Sequence, residues 1–450
     1  MKNLCIHSLQ KDNYLLLNKQ EKMKLIKILL IGITFTLAFN LSQADAQKPE
    51  YDRKGIEIGT TDNITFKMGL HSVGRVQFLT QDNVRVWSGE WVTPDEQLFG
   101  MQTSFANLDF MITIGDNDID IFMDGLLGTQ RHPSRWWGNN GYMYIRNIPG
   151  NSFLTAINPL LEHIDIKAGN FFADFGEHQY TRTVNADAHR NPLVGNPVLS
   201  PFGTEPGMEI ILDKNAFGFM VGTGIGAPEQ DFQEARKYSF RTKLWLDMID
   251  GVYLSGSFYT VNHDQEANRG SNIFRRERHG SSYAAVWNLN NDDGGSGEGP
   301  GQVRPGNGRE LTAWEVNGIF TPFDGNKISA FFGQGSDTGV DPNNFDQSGD
   351  EEWTYYSVEA QQFLNDDFYL SARYSNVDYS KFLTDDNDGN VSRIQAGFGS
   401  FITDNILLKA EYVYQKASGF QEETTGVVTS VDVGMEPTFQ GLILEVGVSF

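Results

Sequence analysis

The sequence predicts an all-β fold, a transmembrane antiparallel β-barrel of about 16 strands with short periplasmic turns and long extracellular loops. Three observations predict it. The chain closes on an alternating strand, Phe439 to Phe450, that stops on an aromatic residue. It opens with an export signal, after which no apolar stretch approaches the roughly 20 residues of a membrane-spanning helix. It combines a modest 39% hydrophobic content with 12% aromatic residues, 47 Gly, 32 Phe and 16 Tyr. A barrel is written this way because only alternate strand residues meet lipid, while aromatic side chains ring both interfaces.

The export signal runs from Met23 to Gln47, with basic Lys24 and Lys27, an apolar run from Ile28 to Phe39 and the cleavage pattern Ala44-Asp45-Ala46. The chain therefore divides into an upstream extension 1–22, a signal peptide 23–46, a periplasmic N-terminal segment 47–63 and a barrel 64–450. Cys5 lies in the extension, so the exported chain from Gln47 has no cysteine. Such a chain must be stabilised without disulfides, and it has no cysteine for an acyl anchor.

Within the barrel, the clearest period-two segments are Leu108 to Ile114, Ile119 to Leu127, Phe217 to Ile225, Tyr238 to Leu246 and Val252 to Thr260. Further along come Thr312 to Phe320, Phe368 to Asn376, Ser392 to Ile402 and Ile406 to Tyr414. Short connections rich in Asp, Asn and Gly fall at Gly115 to Asp118, Asp213 to Asn215, Asp247 to Gly251, Thr321 to Asn326, Leu364 to Asp367 and Thr403 to Asn405. Long ones lie near 81–103, 173–206, 226–237, 262–308, 335–350, 379–390 and 417–438. With both ends of the processed chain on the periplasmic side, the strand count must be even. Assigning Tyr283 to Leu289 to an outer loop gives about sixteen; the weak strands Met143 to Asn147 and Met208 to Leu212 leave fourteen or eighteen open.

In the closing strand, Leu442, Leu444, Val446, Val448 and Phe450 are expected to face lipid, and Ile443, Glu445, Gly447 and Ser449 the lumen. This terminal strand resembles that of the bacterial outer-membrane β-barrel proteins. The resemblance implies the outer membrane of a Gram-negative bacterium as location. It also implies recognition of the strand ending in Phe450 by the barrel-assembly machinery and contact with outer-membrane lipids; the acidic charge balance suits divalent cations held near lipopolysaccharide.

With apolar faces set against lipid, the opposite parity places Lys67, Asp109, Asp118, Asp120, Asp124, Asp165, Lys167, Glu209, Arg241, Lys243, Glu315, Arg373, Lys409, Glu411 and Glu445 in the lumen. One reading is a solvated channel wall. A sharper one sets Arg241, Lys243, Arg373 and Lys409 as a basic ladder opposite an acidic wall, whose transverse field would orient polar solutes. On these assignments Leu444→Arg should impair assembly, whereas Ser371→Arg, in the lumen, should be tolerated.

The stretch Ile164 to Met208 begins as a strand, runs through a long loop and re-enters a strand near Gly207. Lys167-Ala168-Gly169-Asn170-Phe171-Phe172 followed by Asp174-Phe175-Gly176 resembles the porin superfamily, particularly its phosphate-selective-porin-like branch. There a strand ending in Ala-Gly-Lys-Phe precedes a Pro-Phe-Gly turn. The resemblance implies sixteen strands, a homotrimer and a third loop folded inward to narrow the pore. It departs from the pattern at Asn170, where a basic residue is common, and at Ala173-Asp174, where prolines are. If the loop folds inward, Asp174, Glu177, His178, Arg182, Asp187, His189 and Arg190 are the candidate constriction residues; the alternative is a loop packed outside as a lid.

Other classes fare poorly. The formal charge of −23 argues against nucleic-acid binding. Gly222-Thr-Gly-Ile-Gly226 lies within an alternating strand with no following helix, so it lacks the context of a phosphate loop. Asp385-Asp-Asn-Asp-Gly389 has Thr384 and Gln395 where a calcium loop needs its first and last ligands. The histidines show no zinc spacing, no Gly-x-Ser-x-Gly elbow occurs, and no cofactor is expected. The basic island Phe274-Arg-Arg-Glu-Arg-His279 reads as a solvated loop tip or an anion contact. The sequence thus points to a non-enzymatic, weakly cation-preferring porin that passes small hydrophilic solutes. Two alternatives stay open: a barrel-anchored surface adhesion protein with a plugged pore, and a ligand-specific transporter.

Overall fold

In the computed structural model, residues 55–450 are described except 88–90, 94, 130–135, 151–152, 184–185, 215, 226–237, 263–272, 275–282, 285, 288–300, 304, 306–309, 324, 341–348, 383–387 and 421–432. The upstream extension, the signal peptide, the basic island Arg275 to His279 and most of the Asp385 to Gly389 tract lie outside the described residues.

Sixteen strands form the barrel. The first eight are β1 (Ile64–Asp82), β2 (Gln97–Ile114), β3 (Ile119–Thr129), β4 (Trp136–Ile145), β5 (Asp165–Phe172), β6 (Thr204–Lys214), β7 (Phe217–Gly224) and β8 (Ser239–Ile249). The rest are β9 (Val252–Asn262), β10 (Glu310–Phe320), β11 (Asn326–Val340), β12 (Gly349–Asn365), β13 (Phe368–Phe382), β14 (Gly389–Thr403), β15 (Ile406–Ser418) and β16 (Thr438–Ser449). Each pairs antiparallel with its sequence neighbour, and β16 closes the ring on β1 from Thr438↔Asp82 to Ser449↔His71. Closure leaves no row of unpaired backbone groups, the condition for strands in lipid. The last residue is tied in as well, for the Phe450 N–H donates to Leu70 O at 3.0 Å. Within the 47–63 segment, a short strand Ile56–Thr61 pairs with the start of β1.

Side-chain alternation follows the period-two reading. On β16, Leu442 and Leu444 are 53% and 49% exposed, whereas Ile443 and Glu445 are 1% and 3%. Phe217, Phe320, Phe368 and Phe450 are exposed beside the short-turn end, a partial aromatic girdle. The weak segments Met143 to Asn147 and Met208 to Leu212 contribute to β4 and β6, and the described residues of Tyr283 to Leu289 stay out of the barrel strands.

Two expectations change. The connections near 81–103 and 335–350 are shorter than read, because backbone pairing continues past the length a membrane demands: β1, β2 and β12 have 19, 18 and 17 residues. The β4–β5 connection, on the short-turn side, is long and holds a 3-10 turn Phe153–Ile157 and a helical turn Asn158–Leu161.

Candidate functional site

The connection between β5 and β6 folds into the barrel. Asn191, Val194, Asn196 and Val198 have no exposed surface, so the alternative of an outer lid is excluded. The turn that sends the chain inward is Asp174-Phe175-Gly176, where Gly176 adopts φ +72° and lies against the Glu315 carboxylate, a position that a side chain would both strain and crowd.

The loop crosses from one wall to the other, and among the wall side chains that hold it Lys243, Arg373, Lys409 and Glu411 are ones whose parity reads as inward. Near its start, Lys243 on β8 donates to Asp174 Oδ1 at 2.8 Å and Gly176 O at 3.1 Å, and lies 2.9 Å from Glu177 Oε1. Ser257 Oγ on β9 accepts from Gly176 N at 3.0 Å, and Tyr253 donates to Glu177 at 2.8 Å. On the far wall, Lys409 on β15 donates to the carbonyls of Ala188, Asn191 and Leu193 at 2.9, 3.1 and 2.9 Å. Glu411 accepts from Val194 N and Gly195 N at 2.7 and 3.0 Å. Arg373 on β13 donates to Gly195 O at 2.6 Å and Asn191 Oδ1 at 2.8 Å, and Arg393 on β14 to Asn196 O at 2.6 Å. The loop's buried backbone groups find in these side chains the partners that a strand or helix would otherwise supply.

Part of the fifth outer loop descends onto this layer. Tyr283 donates to Glu411 at 2.7 Å and meets the Phe439 ring at 5.4 Å, while Phe274 packs edge-on to Trp353 at 5.3 Å. Val303 N donates to Val198 O at 2.9 Å.

The four cations do not form a ladder facing an acidic wall, because each has carboxylates beside it. Arg241 pairs with Glu205 and with Glu209 at 2.7 Å, Lys243 with Asp174 and Glu177, Arg373 with Glu359, and Lys409 with Glu445 at 2.6 Å. Buried charges need such neighbours, since an unpaired one costs several kcal/mol of desolvation. Glu315, buried, accepts from Tyr355 at 2.9 Å. Ser371 Oγ donates to Pro192 O at 3.1 Å, so an arginine there would meet the loop and the expected tolerance of Ser371→Arg does not hold.

The candidate loop residues separate. Asp174 and Glu177 are anchors, and Arg182 ties the loop to itself, its guanidinium 4.1 Å from the Phe202 ring centroid and 3.0 Å from Ser200 Oγ. Asp187 lies 3.7 Å from His71 and 3.9 Å from Arg190, and the His189 ring meets Phe401 at 6.1 Å. His178 packs against Phe331 at 5.9 Å. Burial, then the guanidiniums of Arg373 and Arg182, hold its imidazole well below the usual pKa.

The wall of β3 to β5 differs. Asp120 accepts from Arg146 at 2.9 Å and Thr113 at 2.7 Å, Asp124 accepts from Asn140 N at 2.7 Å, and Tyr144 donates to Asp165 at 2.9 Å. The Asp120 and Lys167 side chains keep 17% and 14% of their surface exposed, and Lys167 is 3.6 Å from Glu209. Solvent reaches Asp120 and Lys167 on this side, while Asp124 is buried.

Sequence reasoning did not single out Arg75, Glu359, Arg393 or Tyr283. Arg75 pairs with Glu445 at 2.5 Å, and Arg393 shares the inward parity of Gln395 on β14, a signal the alternation of Ser392 to Ile402 already carried.

No family model and no curated protein matches the chain. Among solved structures it is similar to the outer-membrane channel DcaP of Acinetobacter baumannii, with a TM-score of 0.54 and 10% identity over 88% of this chain and 99% of that one. It is also similar to an anion-selective porin from Comamonas acidovorans, with a TM-score of 0.53 and 9% identity over 86% and 100%. Salmonella typhi OmpF, in complex with daunomycin, gives a TM-score of 0.51 and 11% identity over 88% and 100%. The shared feature is the porin barrel fold; the likeness does not single out a phosphate-selective branch.

Proposed function

We propose that this protein is an outer-membrane porin of a Gram-negative bacterium, a non-enzymatic channel for passive diffusion of small hydrophilic solutes. The observation that carries the reading is a closed barrel, apolar outside, whose third outer loop is seated across a polar lumen. Such a loop narrows the passage to the side it leaves accessible, and selectivity then follows from width and wall charge. The accessible wall carries Asp120 and Asp165 with Lys167, so weak cation preference belongs to the proposal. So do a homotrimer, a lipopolysaccharide-facing exterior and assembly through the strand ending at Phe450.

Planar-bilayer recording on refolded chain from Gln47 to Phe450 under a KCl gradient tests this. Steady small steps with a cation-sign reversal potential are expected. An anion-sign potential overturns the preference, and silence from correctly folded barrels overturns the porin. The depth of the loop's burial favours a second reading, a barrel that anchors its outer loops and passes no solute, which silence would support.

A further inference from the structure

The connection from β4 to β5 differs in chemistry as well as length from the other connections at its end of the barrel. The tight turns that follow β2, β6, β8, β10, β12 and β14 each carry an aspartate in the turn or at its edge: Asp118, Asp213, Asp250, Asp324, Asp367 and Asp404. The β4–β5 connection has no charged side chain from Asn147 to Leu161. Its 3-10 turn Phe153–Ile157 runs straight into the helical turn Asn158–Leu161, so Phe153, Ile157 and Leu160, spaced by four and then three, share one face. Phe153, Leu154, Ile157 and Leu160 are 87%, 47%, 41% and 56% exposed. This face is held in place from behind. Asn158 accepts from Ile148 N and donates to Ile148 O, both at 3.0 Å, across the base of the connection, and Leu161 is buried. Asn147 donates to Asp118 in the neighbouring turn at 2.9 Å. A contiguous apolar face turned outward in this way marks a surface that meets a membrane or another protein.

We propose that this connection is an interfacial anchor, its apolar face buried in the phospholipid leaflet on the periplasmic side of the outer membrane. Position supports a lipid occupant. The segment leaves β4 after Ile145 and enters β5 after Ile164, at the end of the barrel where Phe217, Phe320, Phe368 and Phe450 ring the apolar exterior. Met143, the outward residue just inside that end of β4, is 43% exposed and continues the apolar surface onto the barrel wall. Chemistry supports it too. A segment whose polar groups are all neutral can enter the boundary between headgroups and acyl chains without stripping water from an ion, whereas the six aspartate-bearing turns cannot. A water-soluble protein partner would be expected to meet a polar rim around the apolar centre, with charged groups to set its register, and the span from Asn147 to Leu161 offers no charge for that purpose. Seated in the leaflet, the connection fixes the height of the barrel in the membrane on its β4–β5 side. The anchor requires a barrel inserted in lipid and does not depend on whether the lumen conducts.

The test places a nitroxide label on Phe153→Cys and, separately, on Leu160→Cys, in chain from Gln47 to Phe450 folded into vesicles of phosphatidylethanolamine and phosphatidylglycerol. Each variant then has a single cysteine. Electron paramagnetic resonance compares the label's collisions with oxygen, which concentrates among acyl chains, and with a water-soluble nickel chelate. Leu444→Cys, on the outer face of β16, sets the lipid end of the scale, and Asp404→Cys, in the turn after β14, sets the water end. Both test positions should give an oxygen-to-nickel ratio severalfold above that of Asp404→Cys and shifted toward that of Leu444→Cys. Adding Leu160→Glu to the labelled Phe153→Cys variant should return its ratio toward the water end. If Phe153→Cys fails to fold, Leu160→Cys decides alone. Ratios equal to that of Asp404→Cys overturn the anchor. Labels shielded from both agents and broadened by a neighbouring spin overturn it in favour of contact with a second copy of the chain.

Discussion

On the wall from β8 to β15, Arg241, Lys243, Arg373, Lys409 and Glu411 are between 0% and 3% exposed and spend their hydrogen bonds on the third loop or on adjacent carboxylates. On the wall from β3 to β5, Asp120 and Lys167 retain 17% and 14% side-chain exposure, while Asp124, held by Asn140, is 6% exposed. The strands are alike and the residue types are alike; what differs is whether a loop lies over them. A charged inward side chain is therefore not automatically a channel-lining group. In this lumen the covered part of the charged wall is structural, and Asp120 and Lys167, outside that cover, keep access to solvent.

The largest effect should come from cutting the first anchor. Lys243→Met leaves Asp174 and Glu177 buried beside an apolar side chain, which costs about 3–5 kcal/mol. The loop should leave its seat, raising single-channel conductance and shifting the urea midpoint down. Unchanged conductance in folded protein would break the contrast between the two walls. Leu444→Arg places the charge on the outer face of β16 instead and should lower assembly stability by about 2–4 kcal/mol without opening the loop. Refolding yield and conductance of the surviving barrels separate the two outcomes.

Glu411→Gln should have a smaller effect. It keeps the shape while replacing a carboxylate that accepts from Val194 N, Gly195 N and Tyr283 at 2.7, 3.0 and 2.7 Å. A loss of about 1.5–3 kcal/mol is expected, as for hydrogen bonds to a charged group, measured by thermal unfolding. Acidification acts on the same loop through His178. Seated, His178 is held well below the ordinary histidine value of 6.5 by burial and by Arg373, Arg182, Lys327 and Arg190; released, it returns toward that value. The released loop thus binds more protons, so the seated form is fully favoured above pH 6.5 and loses ground as pH falls below it. Conductance should rise as the pH is lowered below about 6.5, where one released histidine gains its proton, and His178→Phe should flatten that rise. Asp120→Asn, on the accessible wall, should have the smallest effect, a reduced cation-sign reversal potential at unchanged stability.

Much of this architecture was legible in the sequence because strand alternation is a local code. Leu442 against Ile443, or Lys243 against Leu244, is decided by parity alone, and parity survives any tertiary arrangement that keeps the strand. The strand count followed because tight turns announce themselves in Asp, Asn and Gly. What parity cannot encode is which inward residues the loop covers. Arg373 and Asp120 read alike in the sequence; only the path of residues 173–203 buries one and leaves the other accessible. Arg393 was readable from the same alternation, whereas nothing local marks Tyr283, whose partner Glu411 is 128 residues away.

The absence of cysteine from Gln47 onward lets a single introduced thiol report which wall the loop covers. Ser375→Cys places a thiol on the covered wall, where the serine is 1% exposed and accepts from Val198 N at 3.0 Å. Asp120→Cys places one on the accessible wall, where the side chain is 17% exposed. A membrane-impermeant thiol reagent added during bilayer recording should react rapidly with Asp120→Cys and step the current down, and should leave Ser375→Cys unmodified. Equal reaction at both positions, or faster reaction at Ser375→Cys, would contradict a loop seated against the β8 to β15 wall.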